Sequence, residues 1–197
     1  MKKRIIFATG NENKMKEIRM ILADLGMEIL SMKEAGVDEE IVEDGMSFEE
    51  NAEIKARAVS RVLTGDIVLA DDSGLEIDYL DKAPGIYSSR FAGEDTSYDI
   101  KNRIFLDRLR TARFVCALAA VFPDGTSNVV RGTIEGQIAH GISGENGFGY
   151  DPIFYVPEYK CTTAEMNPEL KNKLSHRGKA LRAMRKILEE KLKEVEV

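Results

Sequence analysis

Cysteine is scarce in this chain. Cys116 and Cys161 are the only two in 197 residues, far apart and in no metal-type pair. A disulfide framework and a cysteine-ligated zinc are therefore not expected, and both residues read as reduced thiols of a cytoplasmic protein. Cys116 lies in the apolar run Phe114-Val115-Cys116-Ala117-Leu118 and is expected to be core. A basic surplus is also missing: 28 Lys and Arg stand against 34 Asp and Glu, a formal net charge of -6. A protein that wraps DNA or RNA usually carries the opposite balance, so no nucleic-acid partner is expected. A small polyanion stays open as a ligand, because a pocket needs few cations and a bound metal can add charge. No apolar run is long enough to span a membrane, and Ile5-Ile6-Phe7-Ala8 is too short for a signal-peptide core. Internal repeats, low-complexity tracts and domain linkers are absent. With 43% hydrophobic residues, one domain over residues 1–197 has ample material for a core.

The order of elements points to an α/β fold. Arg4 to Thr9 reads as a buried strand stopped by Gly10. A helix follows, with Met15, Ile18, Leu22 and Leu25 at helical spacing, ended by Gly26; Glu28 to Ser31 reads as a second strand. Ser47 and Glu50 form a capping box for a second helix with an apolar stripe of Phe48, Ala52, Val59 and Leu63. Ile67 to Ala70 reads as a buried strand ending in Asp71-Asp72-Ser73-Gly74, and Pro84-Gly85 as a turn. A third helix is expected over Thr96 to Arg110. Pro123-Asp124-Gly125 joins two long strands, Arg113 to Phe122 and Thr126 to Ile138, so the sheet is expected to be mixed. Residues 141 to 152 read as a glycine-rich loop. The last helix shows Leu181, Met184, Leu188 and Leu192 along one face.

Five places carry candidate chemistry. Thr9-Gly10-Asn11-Glu12-Asn13-Lys14, between a strand and a helix, suits a phosphate, because a helix start offers N–H groups and a positive dipole end. It equally suits an ordinary turn capped by Asn11, and the P-loop spacing is absent. Glu43, Asp44, Asp71 and Asp72 are hard oxygen ligands fit for Mg²⁺, or else solvated turn residues. Adjacent strand residues face opposite ways, so one of Asp71 and Asp72 should face a given phosphate. Lys55 falls on the apolar stripe of the second helix, where it snorkels to water or meets an anion. Gly144 to Pro152 places Phe148 and Tyr150 among glycines, which suits a loop closing on a flat ligand or a surface loop. Ser175-His176-Arg177-Gly178-Lys179, with Lys171 upstream, gathers donors at a helix start.

In this order, over essentially the whole chain, these segments resemble the inosine triphosphate pyrophosphatase family, the non-canonical purine NTP pyrophosphatases. Thr9 to Lys14 is similar to its N-terminal phosphate motif, and Ser47 to Arg57 to its second helix. Ala70-Asp71-Asp72-Ser73-Gly74-Leu75 looks like its catalytic strand. Ala83-Pro84-Gly85-Ile86-Tyr87-Ser88-Ser89-Arg90, Gly147 to Pro152 and Ser175 to Gly178 match the bacterial branch. The resemblance implies an α/β, elongated two-lobed fold around a mixed, twisted central sheet with a deep substrate cleft, and a homodimer. It implies hydrolysis of ITP, dITP or XTP to the monophosphate and pyrophosphate, with Mg²⁺. By the same resemblance the Thr9 to Lys14 segment (Thr9, Gly10, Asn11, Glu12, Asn13 and Lys14) and Lys55 would hold phosphates, and Glu43 and Asp72 would face the metal. Asp72 would also be the base for the attacking water. Ser73 would touch the substrate, while Phe148, Gly149, Tyr150, Asp151, Lys171, His176 and Arg177 would enclose base and sugar. Rival readings are a Maf-type pyrophosphatase, which Ser175-His176-Arg177 argues against, a non-enzymatic nucleotide sensor, and an RNA-binding protein.

Overall fold

The computed structural model of the chain describes residues 4–106 and 111–194. Strands are β1 (Arg4–Phe7), β2 (Glu28–Ser31), β3 (Ile67–Ile77), β4 (Thr111–Val121), β5 (Ser127–Ile138), β6 (Phe154–Val156) and β7 (Cys161–Thr162). Helices are α1 (Glu12–Leu22), α2 (Phe48–Val62), α3 (Tyr98–Phe105), α4 (Pro168–Leu174) and α5 (His176–Glu194). The sheet order is β2-β1-β3-β4-β5-β6-β7. Strand β1 pairs parallel with β2 and β3, whereas β5–β6 and β6–β7 are antiparallel. The sheet is mixed, as the long hairpin strands required. No helix among the described residues is long and apolar enough to cross a membrane.

The chain divides into two compact units. The first holds residues 1–72, 116–132 and 178–197; the second holds 73–115 and 133–177. In the first, the core is built from one face of each element. Ile5 and Phe7 of β1, Ile67 and Leu69 of β3, and Cys116, Leu118 and Ala120 of β4 alternate inward, the period-2 pattern of a strand. Met15, Ile18 and Leu22 of α1 and Leu181, Met184 and Leu188 of α5 close over them at helical spacing. Each large side chain taken fully out of water there contributes roughly 1.5–3 kcal/mol. In the second unit, Leu75, Ile77, Phe105, Phe114, Ile138, Ile153 and Phe154 form the core, with Phe114 and Phe154 stacked at 4.2 Å.

The caps follow the sequence closely. Asn11 Oδ1 accepts from the N–H groups of Asn13 and Lys14, and Ser47 Oγ accepts from Glu50 N–H. The Glu50 carboxylate reaches back one residue further than a capping box requires, to Met46 N–H at 2.6 Å. Gly26, at φ 66°, ends the short 3-10 turn that follows α1.

Three expectations need correction. Strand β3 does not close at Ala70; it runs on to Ile77. Asp71 and Asp72 are therefore interior strand residues, 2% and 8% exposed, and not solvated turn residues. They still lie past the carboxyl end of β1, whose last partner on β3 is Leu69. The strand survives two carboxylates because the first unit supplies them with cationic and amide partners. The third helix covers only Tyr98–Phe105, started by Ser97, and residues 107–110 of the expected span lie outside the described residues. Strands β6 and β7 and helix α4 add to the elements expected from the sequence.

Candidate functional site

In the first unit, β3 turns its two carboxylates to opposite faces, as a pleated strand must. Asp71 shares the side of Leu69. Its Oδ1 accepts from Lys14 Nζ at 3.0 Å, and Cys116 Sγ lies 3.9 Å from its Oδ2. Asp72 shares the side of Ala70. Its Oδ2 accepts from Asn51 Nδ2 at 3.1 Å, and Lys55 Nζ lies 3.8 Å from its Oδ1. Lys55 donates to Glu43 Oε2 at 2.6 Å. The stripe lysine of α2 thus meets anions at the edge of the core and does not snorkel away. Asp44, next to Glu43, is exposed.

Burial pushes the Asp72 carboxyl above the ordinary carboxylate range, because a charge removed from water is disfavoured. Lys55 and the Asn51 hydrogen bond oppose that shift, nearby Glu43 adds to it, and Lys14 opposes it. Ala8, Thr9, Gly10, Lys14, Glu39, Glu43, Lys55 and Asp71 line a polar concavity of about 210 Å³. At the start of α1, the Asn11 side chain serves as the cap, and Thr9 Oγ1 accepts from Asn11 N–H. The capping reading of this turn is correct. Gly10, Asn11, Glu12 and Asn13 are all exposed, so the turn keeps an open face.

In the second unit, a loop and three helix ends build a different kind of hollow. Ser73, Ser88, Tyr98, Phe114, Phe148, Gly149, Tyr150, Asp151, Lys171, His176 and Arg177 line a hollow of about 60 Å³. Asp151, 4% exposed, organises it. Its Oδ2 accepts from Lys171 Nζ at 2.7 Å and from Phe148 N–H at 2.8 Å, and its Oδ1 accepts from Thr163 Oγ1 at 2.8 Å. Gly147, at φ 77°, has no room for a side chain: a Cβ would stand 2.2 Å from Asp151 Oδ2.

The Phe148 ring is half-buried, with Lys171 Nζ 5.0 Å and the Arg177 guanidinium 5.5 Å from its centroid. Arg177 also donates to Ser73 Oγ at 2.8 Å, and the His176 ring stacks on Phe114 at 4.8 Å. Of the two aromatics proposed to stack on a flat ligand, Tyr150 is committed to the core. It is 4% exposed, edge-on to Tyr98, and its hydroxyl donates to Ser88 O. Phe148 is only half-buried.

The structure places Lys14, Glu43, Lys55 and Asp72, expected from the sequence, in the first unit, and Ser73, Phe148 to Asp151, Lys171, His176 and Arg177 in the second. The sequence reading assigned no role to Ser88 and Tyr98, which line the second hollow, or to Asn51 and Thr163, which donate to Asp72 and Asp151. Asn51 carried a signal, since it shares the face of Lys55 one turn earlier. Thr163 carried none, because its partner Asp151 is distant in sequence.

Comparison with known proteins agrees with the resemblance read from the ordered motifs. The Ham1 family profile matches residues 5–187. A dITP/XTP pyrophosphatase of Clostridium perfringens is 46% identical over 195 aligned residues, covering 93% of this chain and 96% of that one. Among solved structures, the Staphylococcus aureus Ham1 protein superposes with a TM-score of 0.83 at 40% identity, covering 96% of this chain and 100% of that one. A HAM1 protein from Coxiella burnetii gives 0.85 at 39%, covering 95% and 99%. With profile, sequence and fold in agreement over almost its whole length, this chain belongs to the Ham1 family.

Proposed function

We propose that the protein hydrolyses non-canonical purine nucleoside triphosphates (ITP, dITP and XTP) to the monophosphate and pyrophosphate, clearing them from the nucleotide pool. One observation carries the reading. The buried Asp72 carboxylate, whose proton affinity is raised by burial, stands beside Lys55 and Glu43 in a chain whose relatives are named dITP/XTP pyrophosphatases. A carboxylate with raised proton affinity is a stronger base toward water than an ordinary one.

In the proposed reaction a water oxygen bonds to the α-phosphorus, its proton passes to Asp72, and the bond to the bridging oxygen breaks. Pyrophosphate leaves. Lys14 and Lys55, now paired with carboxylates, would turn to the phosphates and offset charge that develops on their oxygens. The open face of the Thr9 to Lys14 turn would take a further phosphate contact. Glu43 and Asp72 fit a hard divalent cation: two carboxylates share one lysine, and Mg²⁺ needs only one or two carboxylates beside the phosphates of its substrate. When bound, Mg²⁺ would neutralise phosphate charge at that point.

Base selection would belong to the second hollow. Phe148 offers a face for stacking, and Arg177 and His176 offer donors to the 6-oxygen of hypoxanthine or xanthine. Asp151, the carboxylate lining that hollow, already accepts from three protein donors. An exocyclic amino group, on adenine at position 6 or guanine at position 2, would find little acceptor capacity there. Leaving such a group unpaired in a buried site can cost several orders of magnitude in rate. The proposed setting is the cytoplasm, with Cys116 and Cys161 both as thiols, and the proposed assembly a homodimer.

The test is product analysis by chromatography after incubation with Mg²⁺ and, separately, ITP, XTP, GTP, ATP, CTP and UTP. IMP and XMP with pyrophosphate, and little product from the ordinary nucleotides, is the expected result. Diphosphate plus phosphate would overturn the cleavage site, and tight ITP binding without turnover would indicate a sensor.

A further inference from the structure

Among the residues of the acid cluster, Asn51 is the least exposed, at 1%. It sits one helical turn before Lys55 on the same face of α2 and uses both ends of its amide. Nδ2 donates to Asp72 Oδ2 at 3.1 Å, and Oδ1 accepts from Gly45 N–H at 2.9 Å. These two partners fix the amide's orientation, since the reverse would set an oxygen against a carboxylate and an NH₂ against an N–H. Gly45 is pressed against this contact. A Cβ there would stand 2.7 Å from Asn51 Oδ1 and 2.8 Å from Glu50 Cβ.

Gly45 belongs to a stretch, 37–45, with no helix or strand, so no ladder of backbone hydrogen bonds holds it in place. Glu43 lies two residues earlier, and its side chain, 30% exposed, is tied to Lys55. A lysine ion pair alone leaves many rotamers open. The amide bridge from α2 to Gly45 limits where the main chain bearing Glu43 can go, and the same amide limits Asp72.

We propose that Asn51 is a positioning residue that ties the Asp72 carboxylate to the main chain carrying Glu43, so that both carboxylates meet a divalent cation at one fixed separation. This rests on the functional reading above and adds to it a residue that touches neither substrate nor metal. Groups that orient metal-binding carboxylates commonly influence metal affinity or activity by about 10–100-fold.

Two variants separate positioning from folding. Asn51→Leu removes both hydrogen bonds at similar volume. Gly45→Ala keeps the Asn51 amide and displaces the segment that carries Glu43. Mn²⁺ alone is titrated into each protein by electron paramagnetic resonance, and steady-state kinetics with ITP are measured across Mg²⁺ concentrations. The expected result is Mn²⁺ binding weakened by about 10–100-fold in both variants. The Mg²⁺ requirement should rise, and kcat should fall while KM for ITP stays near wild type. A merely structural role would lower Tm and leave the Mn²⁺ affinity of the folded protein unchanged. Folded variants with wild-type Mn²⁺ affinity and wild-type kcat would overturn the proposal. Should Asn51→Leu fail to fold, Gly45→Ala decides. A wild-type protein that binds Mn²⁺ yet turns over no ITP removes the functional reading first, and a wild-type protein that does neither removes both.

Discussion

At Asp72, stability and catalysis pull in opposite directions, and their signs can be read separately. Its carboxyl titrates above the ordinary range because burial outweighs the help from Lys55 and Asn51. The folded state therefore holds this proton more tightly than the unfolded chain does. The stability that follows is fully present below the unfolded pKa and is lost as pH rises through the folded pKa. Asp72→Asn removes the charge that folding disfavours, while an amide oxygen can still accept from Asn51. In metal-free protein the variant should match wild type at acid pH and exceed it in Tm at neutral pH. Each ~1 kcal/mol relieved raises Tm by ~2–4 °C in a chain of this size. On the functional reading, the same substitution lowers kcat by about 10²–10⁴-fold. Calorimetry and kinetics on one variant check both signs, and near wild-type turnover would remove Asp72 from its role as base.

Among the elements, the 144–151 loop has little backbone freedom, because two of its glycines are closely packed at positive φ. Gly147 adopts φ 77°, and a Cβ there would meet Asp151 Oδ2 at 2.2 Å and Lys171 Nζ at 2.9 Å. Gly147→Ala should therefore break the joint hold of Lys171 and Phe148 N–H on Asp151 and turn Phe148 out of place. Strain of this kind costs roughly 1–3 kcal/mol. The expected outcome is a lower Tm and a KM for ITP raised roughly tenfold, with kcat less affected. An unchanged KM would show that the loop does not shape the base site. Elements specified by local chemistry could be read from sequence: the Asn11 and Ser47 caps, β2, and the hairpin around Gly125, which has φ 82°. Elements that depend on distant partners were harder to read. Strand β3 continues through Asp71 and Asp72 because Lys14, Asn51 and Lys55 arrive from elsewhere. Helix α4, seven residues long, is too short for periodicity to reveal. Its signal was the Asn167-Pro168 pair, a cap accepting from Leu170 N–H with proline in the first turn. The candidate site divides the same way. Charged and aromatic residues were identifiable by type, whereas Asn51 and Thr163 matter only through what the fold brings beside them.

At the scale of the whole chain, connectivity decides how the protein should unfold. The main chain passes between the two units four times, after residues 72, 115, 132 and 177, and β3, β4 and β5 each give residues to both. Neither core can assemble from one stretch. That of the second unit takes Leu75, Phe105 and Phe114 from residues 73–115, and Ile138, Phe154 and Met166 from 133–177. That of the first takes Phe7 and Leu69 from the start of the chain, Leu118 from the middle and Leu181, Met184 and Leu188 from α5. Losing the end of the chain therefore strips the first core, although most of its residues lie far upstream. Local melting of β3 or β4 would in turn remove packing from both cores at once. On this argument residues 1–197 should unfold as one domain, and scanning calorimetry should record a single transition whose calorimetric and van't Hoff enthalpies agree. Asp72→Asn, in the first unit, and Gly147→Ala, in the second, should each shift that whole transition in metal-free protein, the first upward and the second downward. Two resolved transitions, each moved by only one of the substitutions, would show two domains in place of one.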